Sequence, residues 1–351
     1  MRSTMSTPSR SRLQRFRELL LPGRAPVTTL MMLFCLGWWM LLALQTGDIG
    51  RFGVSSLLRA GANYTPFSLH GEPWRLLAYA WLHGGILHLA MNLYALHVVG
   101  GMVEGRFGSA RYAVLYIVAA LGAGLASALG TPLAPSVGAS GAILGVVGAG
   151  AVAGHLMGNR IGEHIRNQLL VWFLIIMGIG IVGDSAGLRF DNWAHAGGFV
   201  TGALLGGLFH LVERRWRHAS LAEGVLAVVI VGSGLVSAIT PWVLYRDLPV
   251  VSDQDGVRAA AAQARAWNAC SEALRQHDLD AALTPCRNYR LVDFGRYRGY
   301  VVMALLQDAL ERPLASRHAH GALRTVHATG AGLEPSPPEE ARRMLLELLE
   351  R

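Results

Sequence analysis

Two polar residues in apolar segments carry the side chains that acyl transfer requires. Ser140 lies in GASGAILG at 138–145, where a long apolar segment begins, and His195 lies near the start of another, NWAHAGGFVTGALLGG. A serine hydroxyl is a weak nucleophile until a base removes its proton, and a neutral imidazole within hydrogen-bonding distance can do this near neutral pH. Ser140 and His195 are therefore predicted to form a pair of nucleophile and base.

A third apolar segment supplies hydrogen-bond donors for the oxyanion that such an attack creates. In HGGILHLAMN at 83–92, His88 and Asn92 are four residues apart and share one face of a helix. Both side chains can donate to a developing negative charge. The backbone N–H groups at Ser140 would add to them, because the first N–H groups of a helix have no partner inside it.

Each of these residues, taken alone, also has a structural interpretation. A serine in a membrane helix commonly bonds a carbonyl one turn back, and a histidine or an Asn commonly bridges two helices. For His83, nearer the predicted outer interface, a structural role is favoured. The sequence contains no HExxH motif, and His83 and His88 at i, i+5 do not share a face for one metal ion. Chemistry is favoured because nucleophile, base and donors all fall in the same half of three predicted helices.

The composition is that of a membrane protein. The 351 residues are 52% hydrophobic and 15% charged, and the mean hydropathy is +0.35. There is no Lys, so all 31 basic residues are Arg, and the net charge of +8 belongs to residues 1–245. We attribute this Arg excess to membrane topology rather than to nucleic-acid binding.

Seven runs are long and apolar enough to predict membrane-spanning helices. They lie at 27–46, 77–99, 112–130, 139–157, 168–184, 192–212 and 224–245. With the N-terminus inside, only four of the 17 Arg in residues 1–245 lie in outer loops: Arg51, Arg59, Arg75 and Arg189. The other 13 are then cytoplasmic, as the positive-inside rule expects, and residues 246–351 lie on the outer side.

Small residues indicate how the predicted helices approach each other. Gly198, Gly202 and Gly206 recur every four residues, as do Gly141, Gly145 and Ala149. Residues 112–159 contain no Asp, Glu, Lys or Arg, so the connector TPLAPSVG at 131–138 is short and uncharged. Such a connector must be covered by protein or must line a water-filled cavity. The Ser140 side chain is therefore expected to be accessible to water.

Five motifs together resemble those of the rhomboid intramembrane serine proteases, in the family's order over residues 27–212. They are GEPWR at 71–75, HGGILHLAMN at 83–92, GMVEGRFGS at 101–109, GASG at 138–141 and AHAGGFVTG at 194–202. The resemblance implies an all-α polytopic membrane protein with a six-helix rhomboid core.

The same resemblance implies roles for individual residues. Ser140 would be the nucleophile and His195 the general base and acid, while His88 and Asn92 would donate to the oxyanion. Structural roles are implied for two loop motifs and for the motif and packing glycines: Trp74, Arg75, Glu104, Arg106, Gly138, Gly141, Gly198 and Gly202.

One position departs from the family pattern. Many members carry an aromatic residue four positions after the serine, where it packs against the histidine, and this chain has Leu144. With no Asp identified as a third triad member, the way in which the imidazole is held stays open. Slower turnover is expected.

The predicted organisation has four parts. Residues 1–26 form a basic cytoplasmic leader, 27–212 the catalytic core, 213–245 an inner loop and the seventh transmembrane helix, and 246–351 a small α-helical outer domain. In the outer domain, Cys270 and Cys286 either form a disulfide or remain two buried thiols. Cys35 is expected to be an apolar core residue.

The predicted function is hydrolysis of a peptide bond in the transmembrane segment of a membrane protein, near the outer face, without a cofactor or a metal. The partners are transmembrane substrates and the lipid bilayer, and the expected location is a bacterial inner membrane with a periplasmic C-terminus. Two alternatives remain open: a client-binding relative without catalysis, and a channel or transporter.

Overall fold

The computed structural model describes residues 25–185, 190–215, 220–245, 256–276, 278–294 and 297–328. All named elements in these ranges are helices. They are α1 (Pro26–Thr46), α2 (Val54–Ala60), α3 (Thr65–Ser68), α4 (Arg75–Ala78), a 3₁₀ turn (Tyr79–Trp81), α5 (Ile86–Phe107), α6 (Ser109–Gly130), α7 (Ser140–Leu156), α8 (Arg160–Ser185), α9 (Asn192–Arg215), α10 (Ser220–Leu244), α11 (Gly256–Arg275), α12 (Leu279–Val292), α13 (Tyr297–Ala309) and α14 (Pro313–Ala328).

Helical segments overlap all seven of the predicted spanning runs. Five are long and apolar enough to cross a membrane: Pro26–Thr46, Ile86–Phe107, Ser109–Gly130, Arg160–Gly183 and Asn192–Val212. The apolar stretches Ser140–Leu156 and Val231–Leu244 are shorter. Large apolar side chains on these helices remain exposed, such as Leu174 at 65% and Leu204 at 70%. These helices make the chain an integral membrane protein, because such surfaces require lipid contact.

The predicted second span is wrong in its boundaries. Residues 77–99 do not form one helix, since α4 and the 3₁₀ turn end at Trp81 and α5 begins at Ile86. Leu82 has extended backbone, and a Cβ on Gly85 would lie 2.0 Å from the carbonyl oxygen of Gly50. The break therefore lets the 49–52 loop form backbone hydrogen bonds with the residues just before and at the start of α5. The N–H of Ile86 donates to the carbonyl of Ile49, and the N–H of Phe52 donates to the carbonyl of Gly84.

Helices α7 and α9 pack backbone to backbone at the centre of the bundle. A Cβ on Gly198 would lie 2.0 Å from the carbonyl oxygen of Gly141, and one on Gly202 would lie 1.9 Å from that of Gly145. Glycine at these positions removes the side chains that would separate the helices. Both helices start at the same end of the bundle, which we call the Ser140 end, because their N-terminal turns meet there.

The segment between α1 and α5 covers the Ser140 end. Its short helices α2, α3 and α4 are largely buried, and Asn63 pairs through its backbone with Ser136 in the connector before α7. The Asn63 amide also donates to the carbonyl of Gly124 on α6 at 2.9 Å. This segment consequently holds the connector against the bundle.

Helices α11 to α14 form a small helical region that docks on the same segment. A disulfide joins Cys270 on α11 to Cys286 on α12, next to a core that includes Leu274 and Leu306. Cys35, by contrast, is a free buried thiol in α1. The leader at 1–24 and parts of the predicted outer domain at 246–255 and 329–351 lie outside the described residues.

Candidate active site

The start of α7 places Ser140 at a turn whose backbone is held from two sides. Gly138 has a φ of +129°, which favours glycine, and its N–H donates to the carbonyl of Tyr79 at 3.0 Å. Two residues earlier, Ser136 exchanges backbone hydrogen bonds with Asn63. These contacts orient the first N–H groups of α7, which no intrahelical carbonyl can satisfy.

The structure brings Ser140 and His195 together. The distance between Ser140 Oγ and His195 Nε2 is 2.9 Å, although the residues are 55 positions apart. Ser140 is partly exposed, whereas only 3% of His195 is exposed. The hydroxyl is therefore accessible while its partner base is shielded, an arrangement suited to attack on a carbonyl carbon.

When Ser140 donates to His195 in this contact, the neutral ring carries its proton on Nδ1. For Nε2 to accept the Ser140 hydroxyl proton it must have a free lone pair, so a neutral ring carries its hydrogen on Nδ1. That Nδ1 is buried and has no hydrogen-bond partner among the described residues. The ring is thus oriented to act as a base, with a donor left unsatisfied on its far side.

The His88 ring lies beside the turn that precedes Ser140. A Cβ on Gly138 would be 2.8 Å from His88 Nε2 and 3.7 Å from Ser140 Oγ. The backbone N–H of Gly84 donates to His88 Nδ1 at 3.3 Å, so the neutral ring carries its hydrogen on Nε2. The donating nitrogen of His88 therefore faces the Ser140 turn.

Asn92 lies one helical turn after His88 on α5. Only 6% of it is exposed, and its side-chain amide donates one hydrogen to the carbonyl of His88 at 2.9 Å. An Asn amide has two such hydrogens, so the second stays available. The residues predicted as oxyanion donors thus occupy one face of α5 next to the start of α7.

His83 lies before α5 rather than within it. It is fully buried, and its ring centre is 5.1 Å from that of His88. Neither of its nitrogens has a hydrogen-bond partner among the described residues. It packs against the His88 ring, and the structural role that the sequence favours for it stays a prediction.

The loop motif with Trp74 and Arg75 builds a buried ionic cluster above the site. The Arg75 guanidinium donates to Glu72 at 2.7 Å and to the carbonyls of Leu58 and Ala62, and it stacks on the Trp74 ring. Burial alone would raise the pKa of the Glu72 carboxyl, but the charges of Arg75 and of Arg290 on α12 hold it below its usual range. Glu72 is therefore ionised and fixes this loop.

Arg290 also attaches the C-terminal helices to that cluster. Its guanidinium lies 2.9 Å from Glu72 Oε1, to which the Tyr245 hydroxyl donates as well at 2.7 Å. Tyr64 and Phe294 complete the interface with an edge-to-face ring contact. The C-terminal helices consequently share one buried interior with the loop that supports the connector before Ser140.

Glu104 and Arg106 lie at the opposite end of the bundle. The Glu104 carboxylate accepts hydrogen bonds from the backbone N–H groups of Val27 and Thr28, at the start of α1, and from the Ser109 hydroxyl. A carboxylate at this place satisfies N–H groups and offsets the positive end of the helix dipole. The Arg106 guanidinium lies 5.3 Å from the Phe107 ring.

Sequence reasoning missed three residues that shape the site. Asn63 and Tyr79 hold the connector, and the N–H of Gly84 sets the tautomer of His88. Only Gly84 had a sequence signal, the Gly-Gly pair after His83. The described residues contain no group of three His, Cys, Asp or Glu side chains that could hold a metal ion.

Comparisons with known proteins match the central part of the chain. Residues 70–212 match the family model described as "Rhomboid domain". The chain is 37% identical over 135 residues to RHOMBOID-like protein 4 of Arabidopsis thaliana, covering 38% of this chain and 34% of that protein. It is 32% identical over 190 residues to Rhomboid protease GluP of Bacillus subtilis, covering 54% and 34%. It is 31% identical over 150 residues to Rhomboid-like protease 3 of Toxoplasma gondii, covering 43% and 57%. The matches thus span about a third to a little over half of these relatives.

Proposed function

We propose that the chain is an intramembrane serine endopeptidase that cleaves transmembrane segments of membrane proteins, starting from the match of residues 70–212 to the rhomboid domain model. The observation that carries the proposal is the 2.9 Å contact between Ser140 Oγ and His195 Nε2 at the end of two tightly packed apolar helices. The similarity to Rhomboid protease GluP of Bacillus subtilis supports the same class of reaction.

The first half of the reaction uses Ser140 and His195. His195 Nε2 accepts the hydroxyl proton while Oγ bonds to the carbonyl carbon of the scissile peptide. The C–N bond then breaks as His195 returns the proton to the departing amine, which leaves an ester on Ser140. Water hydrolyses this ester in the second half, again with His195 as the base.

The negative charge that develops on the carbonyl oxygen is stabilised from two helices. His88 donates from Nε2, Asn92 donates its second amide hydrogen, and the backbone N–H of Ser140 completes the set. The hydrogen bond from Gly84 supports the role of His88, because it requires the proton to lie on the nitrogen that faces the turn. Loss of one such donor typically lowers kcat by about 10² to 10³-fold.

The proposed substrates are helical transmembrane segments that unwind near the Ser140 end. A peptide bond within a helix is shielded, so helix-breaking or small residues near the scissile bond should favour cleavage. The excess of Arg in the predicted inner loops supports a topology with the N-terminus in the cytoplasm and the Ser140 end toward the outer face. The C-terminal helices would then lie outside the membrane beside the site.

Substitution Ser140→Ala tests the proposal. In vesicles that contain the full chain and a tagged single-span reporter, the variant should give no cleavage, whereas the wild-type chain should. A fluorophosphonate probe should label the wild-type chain and neither Ser140→Ala nor His195→Ala, because it requires an activated serine.

Ser237→Ala is the matched control. Ser237 is a buried serine in α10 whose hydroxyl donates to the carbonyl of Gly234 at 2.7 Å, the ordinary structural role of a serine in a membrane helix. This variant should keep full cleavage and labelling. Continued reporter cleavage by Ser140→Ala would contradict the assignment, and an unlabelled, inactive wild-type chain would favour a client-binding role without catalysis.

A further inference from the structure

Two buried polar atoms at the N-terminal end of α9, one on the helix and one on the residue that precedes it, lack partners. One is His195 Nδ1 and the other is Asp191 Oδ2, and neither has a hydrogen-bond partner among the described residues. The first carries a proton when Nε2 accepts from the Ser140 hydroxyl, and the second is a carboxylate oxygen that can only accept when ionised. Buried polar groups are rarely left without a hydrogen bond. An unpaired donor and an unpaired acceptor four residues apart therefore need a physical explanation.

The backbone holds Asp191 in place. Its Oδ1 accepts from the N–H of Ala194 at 2.9 Å, as a helix N-cap does, and its carbonyl accepts from the N–H of His195 at 3.0 Å. The spacing of four residues puts its side chain on the same face as His195. The carboxylate lies close enough to interact electrostatically with the His195 ring and with Tyr79.

The proposed reaction places a positive charge on this buried ring. When His195 takes the proton of Ser140, both nitrogens carry hydrogens and the imidazolium has only 3% of its residue exposed. An unpaired charge in such a place is costly. The nearby His88 ring, which also interacts electrostatically with His195, offers no negative charge to offset it.

We propose that Asp191 is a positioning residue that orients the His195 ring and stabilises its charged form during catalysis. The inference rests on the proposed protease function. Asp191 would explain how the His195 imidazole is held, a question that the sequence left open. The residue four positions after the serine is Leu144, whose side chain is 1% exposed and cannot hydrogen-bond to the ring. The attraction acts through the unpaired carboxylate oxygen, while the other oxygen keeps the helix cap.

Substitution Asp191→Asn separates the stabilisation of charged His195 from the capping of α9. The Asn side-chain oxygen still accepts from Ala194, so the cap and the melting temperature should stay close to wild type. The charge is lost, so the rate of fluorophosphonate labelling of the purified full chain should fall roughly tenfold, which corresponds to about 1.4 kcal/mol. With a fluorogenic transmembrane peptide, kcat should fall by the same factor at unchanged KM.

Asp191→Ala is the comparison variant, since it loses both the charge and the cap and should lower the melting temperature as well as the labelling rate. A purely structural role for Asp191 predicts that labelling follows only the folded fraction. Wild-type labelling by Asp191→Asn would overturn the positioning role. Absence of labelling in the wild-type chain would instead overturn the protease function itself, so the two failures are distinguishable.

Discussion

Gly138→Ala tests how closely the oxyanion donor and the nucleophile turn are fitted. The added methyl group would lie 2.8 Å from His88 Nε2 and 2.9 Å from its Cε1. Ordinary contact requires about 3.5 Å, so the ring must retreat by roughly 0.7 Å. An oxyanion donor works within about 2.7–3.1 Å, and this displacement would take His88 out of range. We expect kcat to fall by about 10² to 10³-fold, the usual effect of losing one donor.

The same substitution also strains the backbone. Gly138 has a φ of +129°, and a residue with a Cβ held in such a region costs about 1–3 kcal/mol. Gly108→Ala is the matched control, because Gly108 has a φ of +82° but nothing within 4 Å of the added methyl group. The control should lose stability without losing kcat per folded molecule.

The assay is reporter cleavage at saturating substrate, corrected for the folded fraction from thermal melts in the same detergent. Gly138→Ala should lose far more activity than stability, and Gly108→Ala should show the reverse. If Gly138→Ala keeps its kcat within about threefold of wild type while folded, His88 beside this turn does not stabilise the oxyanion.

Two further substitutions address the scaffold. Gly202→Ala would place a methyl group 1.9 Å from the carbonyl oxygen of Gly145, so α7 and α9 must separate and thermal melts should show a loss of stability of about 2 kcal/mol or more. Glu72→Gln removes the carboxylate that the buried guanidinium of Arg75 neutralises, so stability at neutral pH should fall. The folded-state pKa of Glu72 lies below its ordinary 4.5, so its contribution is present above that pH and is lost as the pH falls through the lower folded value. Melting of Glu72→Gln should accordingly depend less on pH below about 4.5 than melting of the wild type.

Each scaffold prediction has a control in the chain. Gly207 lies on the same helix as Gly202 with nothing within 4 Å of an added methyl group, so Gly207→Ala should melt as the wild type does. Glu272 forms an exposed ion pair with Arg275, and Glu272→Gln should change stability by less than about 1 kcal/mol. Equal effects in a test variant and its control would contradict the corresponding reasoning.

Local patterns predicted most of the helices and the identities of the paired residues. Apolar runs located α6, α7 and α9 closely, because hydropathy depends on residues that are neighbours in the chain. The second span was misplaced because the break at residues 82–85 depends on contacts with the 49–52 loop, which the local apolar run does not reveal. Helices α11 to α14 were foreseen only as a helical region, without their attachment through Arg290.

By itself, the sequence determined that a serine, a histidine and two side-chain donors lie near the ends of apolar helices rich in glycine. Only the tertiary structure decided that Ser140 Oγ and His195 Nε2 are 2.9 Å apart and that Gly84 sets the proton position on His88. It likewise revealed the unpaired carboxylate oxygen of Asp191, the residue that precedes the helix carrying His195. The physical reason is that side-chain type and helical period are properties of the chain, whereas hydrogen-bond partners across helices depend on close packing, in which a shift of about 1 Å separates contact from its absence.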